Sequence, residues 1–507
     1  MNPLRSSVLS ALLLPGVVVV GTRVGLPVLA MATLRLSSSS SFFAYQQQKV
    51  GLTAPQRPPS SFASPSPPPP LVVCSIPDRH HLPSSHSSAE ASSGRISLGF
   101  CTRQSVGFCT RQQSWNRNLA AVAAAASVTE VGGGGSSSTI SREEVVREDD
   151  PTNNVPDTVF GKIGLQLHNR ESHPLGILKN AIYSYFDETF PGVFHKVDNL
   201  LPIVSVKANF DDVLTPPDHV SRSYNDTYYV NADTVLRCHT SAHQAELLRQ
   251  GLTHFLVTGD VYRRDAIDAT HYPVFHQMEG LRLFTQQEWE AAGMDGTALA
   301  AQELKKTLEG LARHLFGDVQ MRWVDTYFPF TDPSYELEIF FQGKWMEVLG
   351  CGVTQQQILC NNGCAGTTAW AFGLGLERLA MVLFDIPDIR LFWSNDSRFT
   401  SQFKSGQLGT KFKSFSKYPP CYKDISFWIS EEFSENNLCE IVRGIAGDLV
   451  EEVVLIDEFT NPKKGKTSHC YRIAYRSMER SLTDDEINAL QAEVRQQVES
   501  KLKITLR

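Results

Sequence analysis

Three stretches of the chain decide its architecture: GDVYRRD at residues 259–265, THYPVFHQMEG at 270–280 and AFGLGLER at 371–378. They are dense in polar and aromatic side chains, and two contain an arginine, Arg263 or Arg378, bracketed by strand-like or glycine-rich backbone. A planar guanidinium suits phosphate oxygens, and paired glycines let the backbone approach a ligand closely. The stretches therefore indicate an anionic ligand, although either arginine alone is more typical of a surface or ion-paired residue.

Short strand-like runs around these stretches predict an antiparallel sheet backed by helices. The runs cover residues 255–261, 280–284, 335–341 and 345–349, and a helix-like segment covers 298–316. A further helix with Pro174 in its first turn is predicted after His173, and order is expected to begin near Asn154. The fold class predicted for residues 150–395 is therefore α+β.

The pattern changes near the C-terminus and predicts a second domain. Residues 396–416 contain many Gly, Ser and Lys residues and predict a linker. In residues 417–507 the order strand, helix, strand, strand, helix is followed by a short strand at 504–506. Thr483 and Glu486 form a capping box at the start of the last helix. This order is the ferredoxin-like pattern.

Residues 1–140 differ in composition from the rest, because they contain serine, proline, alanine and glycine runs that cannot bury a core. Residues 1–129 hold ten basic and two acidic side chains and contribute about +8 to the net charge of -7. Such a leader is typical of a mitochondrial or plastid transit peptide. A secretory signal is the alternative, but Pro15 interrupts its apolar run, and no membrane span is expected.

Several familiar motifs are incomplete in this chain. KGKT at 464–467 lacks the leading glycine of a P-loop because Thr460 stands there, and GLG at 373–375 lacks the third glycine of a dinucleotide fingerprint. His239 and His243 have the spacing of a zinc-protease helix without its glutamate. The 10 cysteines lack the spacing of a disulfide framework or a zinc site, so we expect reduced thiols and no structural zinc.

Taken together, VYRRD, THYPVFHQMEG, YFPFTDPS, EVLGCG and AFGLGLER resemble motifs of class II aminoacyl-tRNA synthetases, and specifically of the phenylalanyl-tRNA synthetase family. The resemblance runs from about residue 173 to 507. It implies ATP-dependent activation of L-phenylalanine, with ATP and Mg²⁺ as cofactors, and transfer to the terminal adenosine of tRNA(Phe). It also implies an organellar single-chain form, a monomer in mitochondria, plastids or both, whose ferredoxin-like domain binds the anticodon.

The resemblance assigns a nucleotide site residue by residue. Arg263 would hold the α-phosphate of ATP, His271 would lie on the phosphates, and Phe275 would stack on adenine. Arg378 would contact the γ-phosphate from the opposite face of the adenine ring, and Tyr272 belongs to the same ATP-binding set. The carboxylate of phenylalanine is already ionised, so the reaction requires alignment and positive charge and no general base. The protein ligands of Mg²⁺ stay unassigned.

The resemblance also implies a phenylalanine site with a polar end and an apolar slot. Gln277 and Glu279 would accept from the ammonium group, and the set further contains His239, Ser241, Ala242, His243, Gln244, Met278 and Glu347. The slot for the benzyl ring contains Phe328, Phe330, Ala371 and Phe372, each aromatic of which would by itself be more typical of core packing. The small Ala371 leaves room at the para position, so tyrosine is the difficult competitor.

Contact with RNA must come from local clusters of cations, because the chain beyond the leader is acidic. In the C-terminal domain we expect phosphate contacts from Lys463, Lys464, Lys466, Arg472 and Arg476. A solvated lysine loop is the alternative interpretation of these residues.

Two other functions remain open at the level of sequence. One is an ATP-dependent ligase with the same catalytic fold that acts on a small amine, against which the C-terminal domain argues. The other is a regulator that resembles a synthetase and has lost its chemistry. Such a regulator would be expected to lack Arg263 or Arg378, and both are present.

Overall fold

The computed structural model describes residues 141–146, 150–415, 417–463 and 465–507, so the predicted leader at 1–140 lies outside the described residues. The described chain contains two units, each built around its own large sheet. No helix within these ranges combines the length and the apolar character needed to cross a bilayer.

The helices of the first unit surround its sheet. In chain order the α-helices are α1 (Arg142–Val145), α2 (Asp157–Phe160), α3 (Pro174–Thr189), α4 (Gln244–Arg249), α5 (Gln286–Ala291), α6 (Gly296–Phe316), α7 (Gln356–Asn361), α8 (Leu376–Phe384) and α9 (Ser397–Thr400). Short 3-10 helices lie at Leu167–Asn169, Val220–Arg222, Thr240–His243 and Ile389–Trp393, and a π-helix at Lys207–Asp211. The helix predicted after His173 is confirmed, and the His173 ring caps it by accepting from the amide of Leu175.

The strands of the first unit form one main sheet and one small sheet. They are β1 (His195–Val197), β2 (Ile203–Ser205), β3 (Tyr229–Asn231), β4 (Thr234–Leu236), β5 (His254–Tyr262), β6 (Val274–Phe284), β7 (Gln320–Phe328), β8 (Thr331–Phe341), β9 (Lys344–Thr354) and β10 (Thr368–Gly375). The main sheet is 7-stranded in the order β1-β5-β6-β10-β9-β8-β7. Its β1–β5 pair is parallel and its other pairs are antiparallel, so the predicted antiparallel sheet is confirmed.

The two faces of the main sheet have different partners. One face packs on α3, α6 and α8 through an apolar core that includes Phe186, Leu308 and Leu379. On the other face, Leu247 of α4 and Leu359 of α7 pack against apolar residues at one end of β5, β6 and β10. The remaining part of this second face forms the floor of the candidate site.

The second unit has the ferredoxin-like arrangement that the sequence predicts. Its elements are β11 (Cys421–Trp428), α10 (Glu435–Ala446), a 3-10 turn (Gly447–Leu449), β12 (Val450–Asn461), β13 (Lys466–Tyr475), α11 (Asp484–Leu502) and β14 (Thr505–Leu506). The antiparallel sheet has the order β12-β13-β11-β14. Both helices pack on one face of it, through Val442 and Val494 among others. The capping box is confirmed, because Thr483 and Glu486 each accept from the other's backbone amide.

The predicted linker at 396–416 is packed against the first unit. Phe399 and Phe403 are buried in its core, and the rings of Phe399 and Phe412 lie 5.7 Å apart. Residue 416 lies outside the described residues. The sequence therefore predicts the place of this segment and misses how far its phenylalanines attach it to the core.

Packed structure begins before Asn154, where order is predicted to start. Val145 and Val146 are buried in the core of the first unit, and Arg142 forms an ion pair with Asp157 at 3.0 Å. Helix α1 has 4 residues, which is too short for helical periodicity to show in the sequence.

The two units contact each other through the loop between β5 and β6, residues 263–273. Ile267 packs into the core of the second unit, and its carbonyl accepts from the amide of Val453 at 3.0 Å. The hydroxyl of Tyr272 donates to the carboxylate of Asp448 at 2.8 Å. The loop that begins with Arg263 is therefore attached to the second unit.

Candidate active site

The floor of the cleft is formed by paired residues of β6 and β10 on the open face of the main sheet. Glu279 lies opposite Gly373, and Gln277 lies opposite Gly375. A Cβ atom added at either glycine would meet nothing within 4 Å, so the space above them is open. Glycine in a strand often marks a close approach of a ligand. Here the two glycines leave the carboxyl group of Glu279 and the amide group of Gln277 beside an open surface of β10.

The nucleotide end of the cleft lies where β5 ends and β6 begins. The guanidinium carbon of Arg263 lies 5.0 Å from the centroid of the Phe275 ring, and its Nε donates to the carbonyl of Cys238 at 2.9 Å. Arg378, in the first turn of α8, donates from Nη1 to Glu347 at 3.2 Å. A positively charged fork beside an aromatic plate fits a ligand with a flat base and phosphates.

His271 lies in the loop between these strands and pairs with Asp268, at 2.6 Å from Nδ1 to the carboxylate. Burial opposes a charged imidazole, but the hydrogen bond to Asp268 prevails and raises the pKa of His271. Burial likewise opposes the charged carboxylate, and the imidazole nevertheless lowers the pKa of Asp268 to about 2. The pair therefore shifts the ionisation of His271 towards the cation, which favours contact with a phosphate.

The polar end of the cleft contains a buried carboxyl group. Glu279 is 2% exposed and accepts from the amide nitrogen of Gln244 and from the hydroxyl of Thr240 at 3.4 Å. Burial raises the pKa of Glu279 to about 7, while hydrogen bonds from Ser241 and Gln244 oppose the shift. Burial destabilises the ionised carboxylate, and a nearby cation would stabilise it. This position therefore suits an ammonium group.

The two histidines of segment 239–244 are neutral supports. Burial lowers the pKa of His239 to about 3, and its ring lies 6.4 Å from that of Phe330. Burial also lowers the pKa of His243, whose Nε2 lies 2.9 Å from Nη1 of Arg237. Arg237 is fully buried and also pairs with Asp260 at 2.9 Å. His243 thus attaches segment 239–244 to β5 through Arg237 and Asp260, and its lowered pKa favours a neutral ring.

The apolar slot lies beyond Gly373 along β10. The rings of Phe328 and Phe330 are stacked at 5.7 Å and 3°. A Cβ at Gly350 would lie 2.7 Å from Cζ of Phe328, so the glycine leaves the space that this ring occupies. Ala371 lies on the same face, between Leu281 and Gly352 of the neighbouring strands. Small residues under aromatic rings give a slot suited to another ring.

Four side chains assigned to the site by resemblance point elsewhere. Met278 and Phe372 alternate to the other face of their strands, and the Phe372 ring stacks on Phe186 at 5.8 Å. Ala242 packs on the small sheet β2-β4-β3, and Tyr272 contacts the second unit through Asp448. For Met278 and Phe372 the cause is the alternation of a strand, whereas Ala242 lies in a 3-10 helix and Tyr272 in the loop before β6.

Several residues around the cleft were missed by the sequence. Thr240 and Asp268 support Glu279 and His271 through hydrogen bonds, and Glu336 is buried opposite Gly350 on the open face. A strand pattern with a glutamate among apolar residues, ELEIFF, was the available signal for Glu336. Thr240 and Asp268 gave none, because a lone polar residue in a loop is ordinary.

The predicted RNA-contacting cations of the second unit are dispersed. Arg472 forms a two-pronged pair with Asp424, at 2.8 Å from each nitrogen. Arg476 donates to Glu451 at 3.0 Å. Lys466 opens β13 beside the turn that contains Lys463, and Lys464 lies outside the described residues. Lys463 and Lys466 therefore share a hairpin tip, whereas the two arginines have carboxylate partners.

The sheet face of the second unit that faces away from α10 and α11 carries aromatic rings and arginines. Tyr422 is 57% and Phe459 is 42% exposed. The guanidinium of Arg507 lies 5.6 Å from the ring of Trp428 and 5.6 Å from that of Phe459, and that of Arg472 lies 6.0 Å from Tyr422. We call Tyr422, Trp428, Phe459, Arg472 and Arg507 the outer aromatic face. Its composition is typical of surfaces on which unpaired bases stack.

Two family profiles match the chain. Residues 163–403 match the tRNA synthetases class II core domain (F), and residues 416–507 match the ferredoxin-fold anticodon binding domain. The first range lies within the first unit of the structure, and the second contains the elements of the second unit.

Two curated relatives match about 70% of the chain, and a third matches 46% of it. The chain is 71% identical over 360 residues to the phenylalanine–tRNA ligase, chloroplastic/mitochondrial, of Arabidopsis thaliana, a match that covers 71% of this chain and 84% of the relative. It is 48% identical over 406 residues to the mitochondrial phenylalanine–tRNA ligase of Dictyostelium discoideum, covering 70% and 89%. A phenylalanine–tRNA ligase alpha subunit of Nostoc is 37% identical over 236 residues, covering 46% and 66%.

Proposed function

The chain belongs to the phenylalanine–tRNA ligases within the class II aminoacyl-tRNA synthetases, and we propose that it activates L-phenylalanine with ATP and transfers it to tRNA(Phe). The observation that carries the proposal is the single open face on which Arg263, Phe275, Glu279 and Ala371 lie together. From Phe275 to the level of Ala371 is six residues along β6, or about 20 Å at about 3.3 Å per residue. An aminoacyl adenylate can extend over that distance.

The first step is the attack of the phenylalanine carboxylate on the α-phosphorus of ATP, which forms phenylalanyl-adenylate and breaks the α–β phosphoanhydride bond to release pyrophosphate. This nucleophile is ionised at neutral pH, so the protein must align it and stabilise the charge that accumulates on the phosphate oxygens. Arg263 and the cationic His271 are the groups we assign to this task. Arg378 approaches the nucleotide from the side of α8. Phe275 holds the base by stacking.

Magnesium is the metal that the family implies. Mg²⁺ is usually held by one or two carboxylates together with substrate phosphates. Glu347 lies opposite Glu338 on the paired strands β8 and β9, and Glu347 contacts Arg378. Glu338 pairs with Arg322, and the described residues contain no cluster of three or more potential ligands. We therefore assign Mg²⁺ to Glu338 and Glu347 together with substrate phosphates, whose charge the ion would neutralise.

Selection of the amino acid would rest on Glu279 for the ammonium group and on the slot of Phe328, Phe330 and Ala371 for the ring. Such a slot excludes larger side chains by shape. An apolar slot rejects an added hydroxyl by only about a hundredfold. Tyrosine is therefore the competitor that this site excludes least well.

The second unit would hold the anticodon of the tRNA. We assign this role to the outer aromatic face and the lysines of the β12–β13 hairpin, because exposed rings can stack on unpaired bases while cations meet phosphates. The chain carries both the synthetase core and the anticodon-binding fold, whereas its bacterial relatives include alpha subunits. This supports action as a monomer. The names of its relatives support work in mitochondria, chloroplasts or both.

The test is ATP–pyrophosphate exchange by the purified chain with each of the standard amino acids, followed by charging of organellar tRNA. We expect exchange with phenylalanine, weaker exchange with tyrosine, and charging of tRNA(Phe). Arg263→Ala should abolish exchange, while Arg313→Ala, on the surface of α6, should not. Exchange with another amino acid in preference to phenylalanine would refute the proposal.

A further inference from the structure

We propose that the buried pair of His276 and Glu377 is a positioning element that fixes the gap between Phe275 and Arg378, and thereby determines the affinity for ATP. The inference rests on the proposed nucleotide site, since the adenine would occupy that gap. Phe275 immediately precedes His276 on β6, and Arg378 immediately follows Glu377 on α8. Each wall of the gap is therefore one residue away from a member of the pair.

The pair is a double hydrogen bond in the interior of the first unit. The backbone amide of His276 donates to one carboxylate oxygen of Glu377 at 2.7 Å, and its Nδ1 lies 2.7 Å from the other oxygen. The two side chains are 1% and 3% exposed. Because both oxygens are held by one residue, the carboxylate cannot turn without losing a bond inside the core.

The pair connects two elements that the sheet does not connect at this point. Hydrogen bonding between β6 and β10 ends at the pair of Gln277 and Gly375. Phe275 and Arg378 both lie beyond it, so the β6–β10 ladder does not fix their separation. The glycines at 373 and 375 add no side chains that could do so. The contact between His276 and Glu377 is then the next link between β6 and α8.

Phe275 and Arg378 point towards the cleft, whereas His276 and Glu377 point into the core. The cause is the alternation of side chains along β6 and the rotation between successive residues of α8. Successive side chains of a strand face opposite sides, so His276 enters the core and Phe275 faces the cleft. Successive residues of a helix differ by about 100° of rotation. Accordingly Glu377 is buried, whereas the side chain of Arg378 is 44% exposed.

The imidazole of His276 is itself held in place by rings. It stacks on Trp393 with centroids 5.6 Å apart at 23°, and it lies 5.1 Å from the ring of His168. Burial lowers the pKa of His168 to about 3, so this neighbour is neutral and does not repel it by charge. The imidazole that pairs with Glu377 is thus held between Trp393 and His168, as a positioning role requires.

The test compares Glu377→Leu with Glu377→Gln in ATP–pyrophosphate exchange. Leucine removes both hydrogen bonds, and glutamine retains one acceptor and one group able to pair with the imidazole. We expect Glu377→Leu to raise the KM for ATP by tenfold or more and the KM for phenylalanine by less than twofold. Glu377→Gln should bring the KM for ATP back to within about threefold of the wild-type value.

Glu303→Leu is the matched control, because Glu303 bridges Arg282 and Trp370 on the same core face, away from the cleft. Its KM values should stay at the wild-type level even where its melting temperature falls as far as that of Glu377→Leu. Should Glu377→Leu fail to fold, His276→Phe replaces it, since phenylalanine keeps a ring that can stack on Trp393 but lacks the nitrogen that pairs with Glu377. For His276→Phe we expect the same selective rise in the KM for ATP.

Equal rises of both KM values, or an unchanged KM for ATP, would overturn the positioning role. ATP binding to each variant is also measured by titration calorimetry. Absence of exchange in the wild-type chain would refute the proposed function alone. A loss of ATP affinity confined to the variants of the pair would still support this inference, and equal affinities would contradict it.

Discussion

The ionisation of Glu279 predicts how phenylalanine binding depends on pH. Burial raises the pKa of this carboxyl to about 7 in the free protein. The ammonium group of the substrate needs the ionised form, which predominates above that pKa, so binding should improve as the pH rises. With this pKa about 9% of the sites are ionised at pH 6 and about 91% at pH 8, and the KM for phenylalanine should be about tenfold higher at pH 6.

The assay is ATP–pyrophosphate exchange between pH 6 and pH 8, with phenylalanine varied at saturating ATP. Glu279→Gln should have a KM for phenylalanine that is high and independent of pH, because the amide cannot ionise. The KM for ATP provides an internal control, because its dependence on pH should have the opposite sign to that of the KM for phenylalanine. The raised pKa of His271 keeps that imidazole cationic at low pH, so ATP affinity should weaken, if it changes, as the pH rises.

A KM for phenylalanine that stays constant over this range in the wild-type chain would refute the reasoning. So would a pH dependence of equal size in Glu279→Gln. The first result would mean that the carboxyl is ionised throughout, and the second that another group titrates. Either would remove Glu279 as the partner of the ammonium group.

Three substitutions test the other parts of the account. Ala371→Gly should admit 4-chlorophenylalanine and raise the KM for phenylalanine about fourfold, since a lost methyl contact is worth about 0.8 kcal/mol; unchanged exchange with the analogue would contradict the slot. Gly350→Ala places a Cβ 2.7 Å from Cζ of Phe328, so the ring must move and the KM for phenylalanine should rise about tenfold in exchange assays, with the KM for ATP unchanged. Tyr422→Ala should raise the KM for tRNA in charging by about fivefold or more, at about 1–3 kcal/mol per stacked base, and leave exchange intact. Tyr327→Ala, an exposed tyrosine of the first unit, should change neither measurement.

Patterns that repeat along the chain allowed much of the fold to be predicted. The capping box of Thr483 and Glu486 marks the start of α11 because both partners lie within one helical turn. The alternating apolar residues of β13 mark a half-buried strand, because this pattern too is contained in neighbouring residues. The strand β10 and the helix α8 were not predicted as elements, because the glycines of AFGLGLER hide the strand pattern.

Contacts between distant residues account for what the sequence could not predict. Met278 and Phe372 belong to the motifs that identify the family, yet period-two alternation turns them into the core. Tyr272 stands in the same motif but meets Asp448 of the second unit, a partner that no local pattern reveals. The link between His276 and Glu377 spans 101 positions in the sequence and becomes visible only when β6 and α8 are placed together.

The central claim is that one cleft on the open face of the main sheet holds both the adenosine and the benzyl side chain. The most direct measurement is a crystal structure of the chain with the non-hydrolysable adenylate analogue 5′-O-(phenylalanylsulfamoyl)adenosine. We predict that the adenine lies between Phe275 and Arg378, the sulfamoyl group beside Arg263 and the benzyl ring over Ala371. An analogue bound with its adenine or its ring outside this cleft would contradict the account.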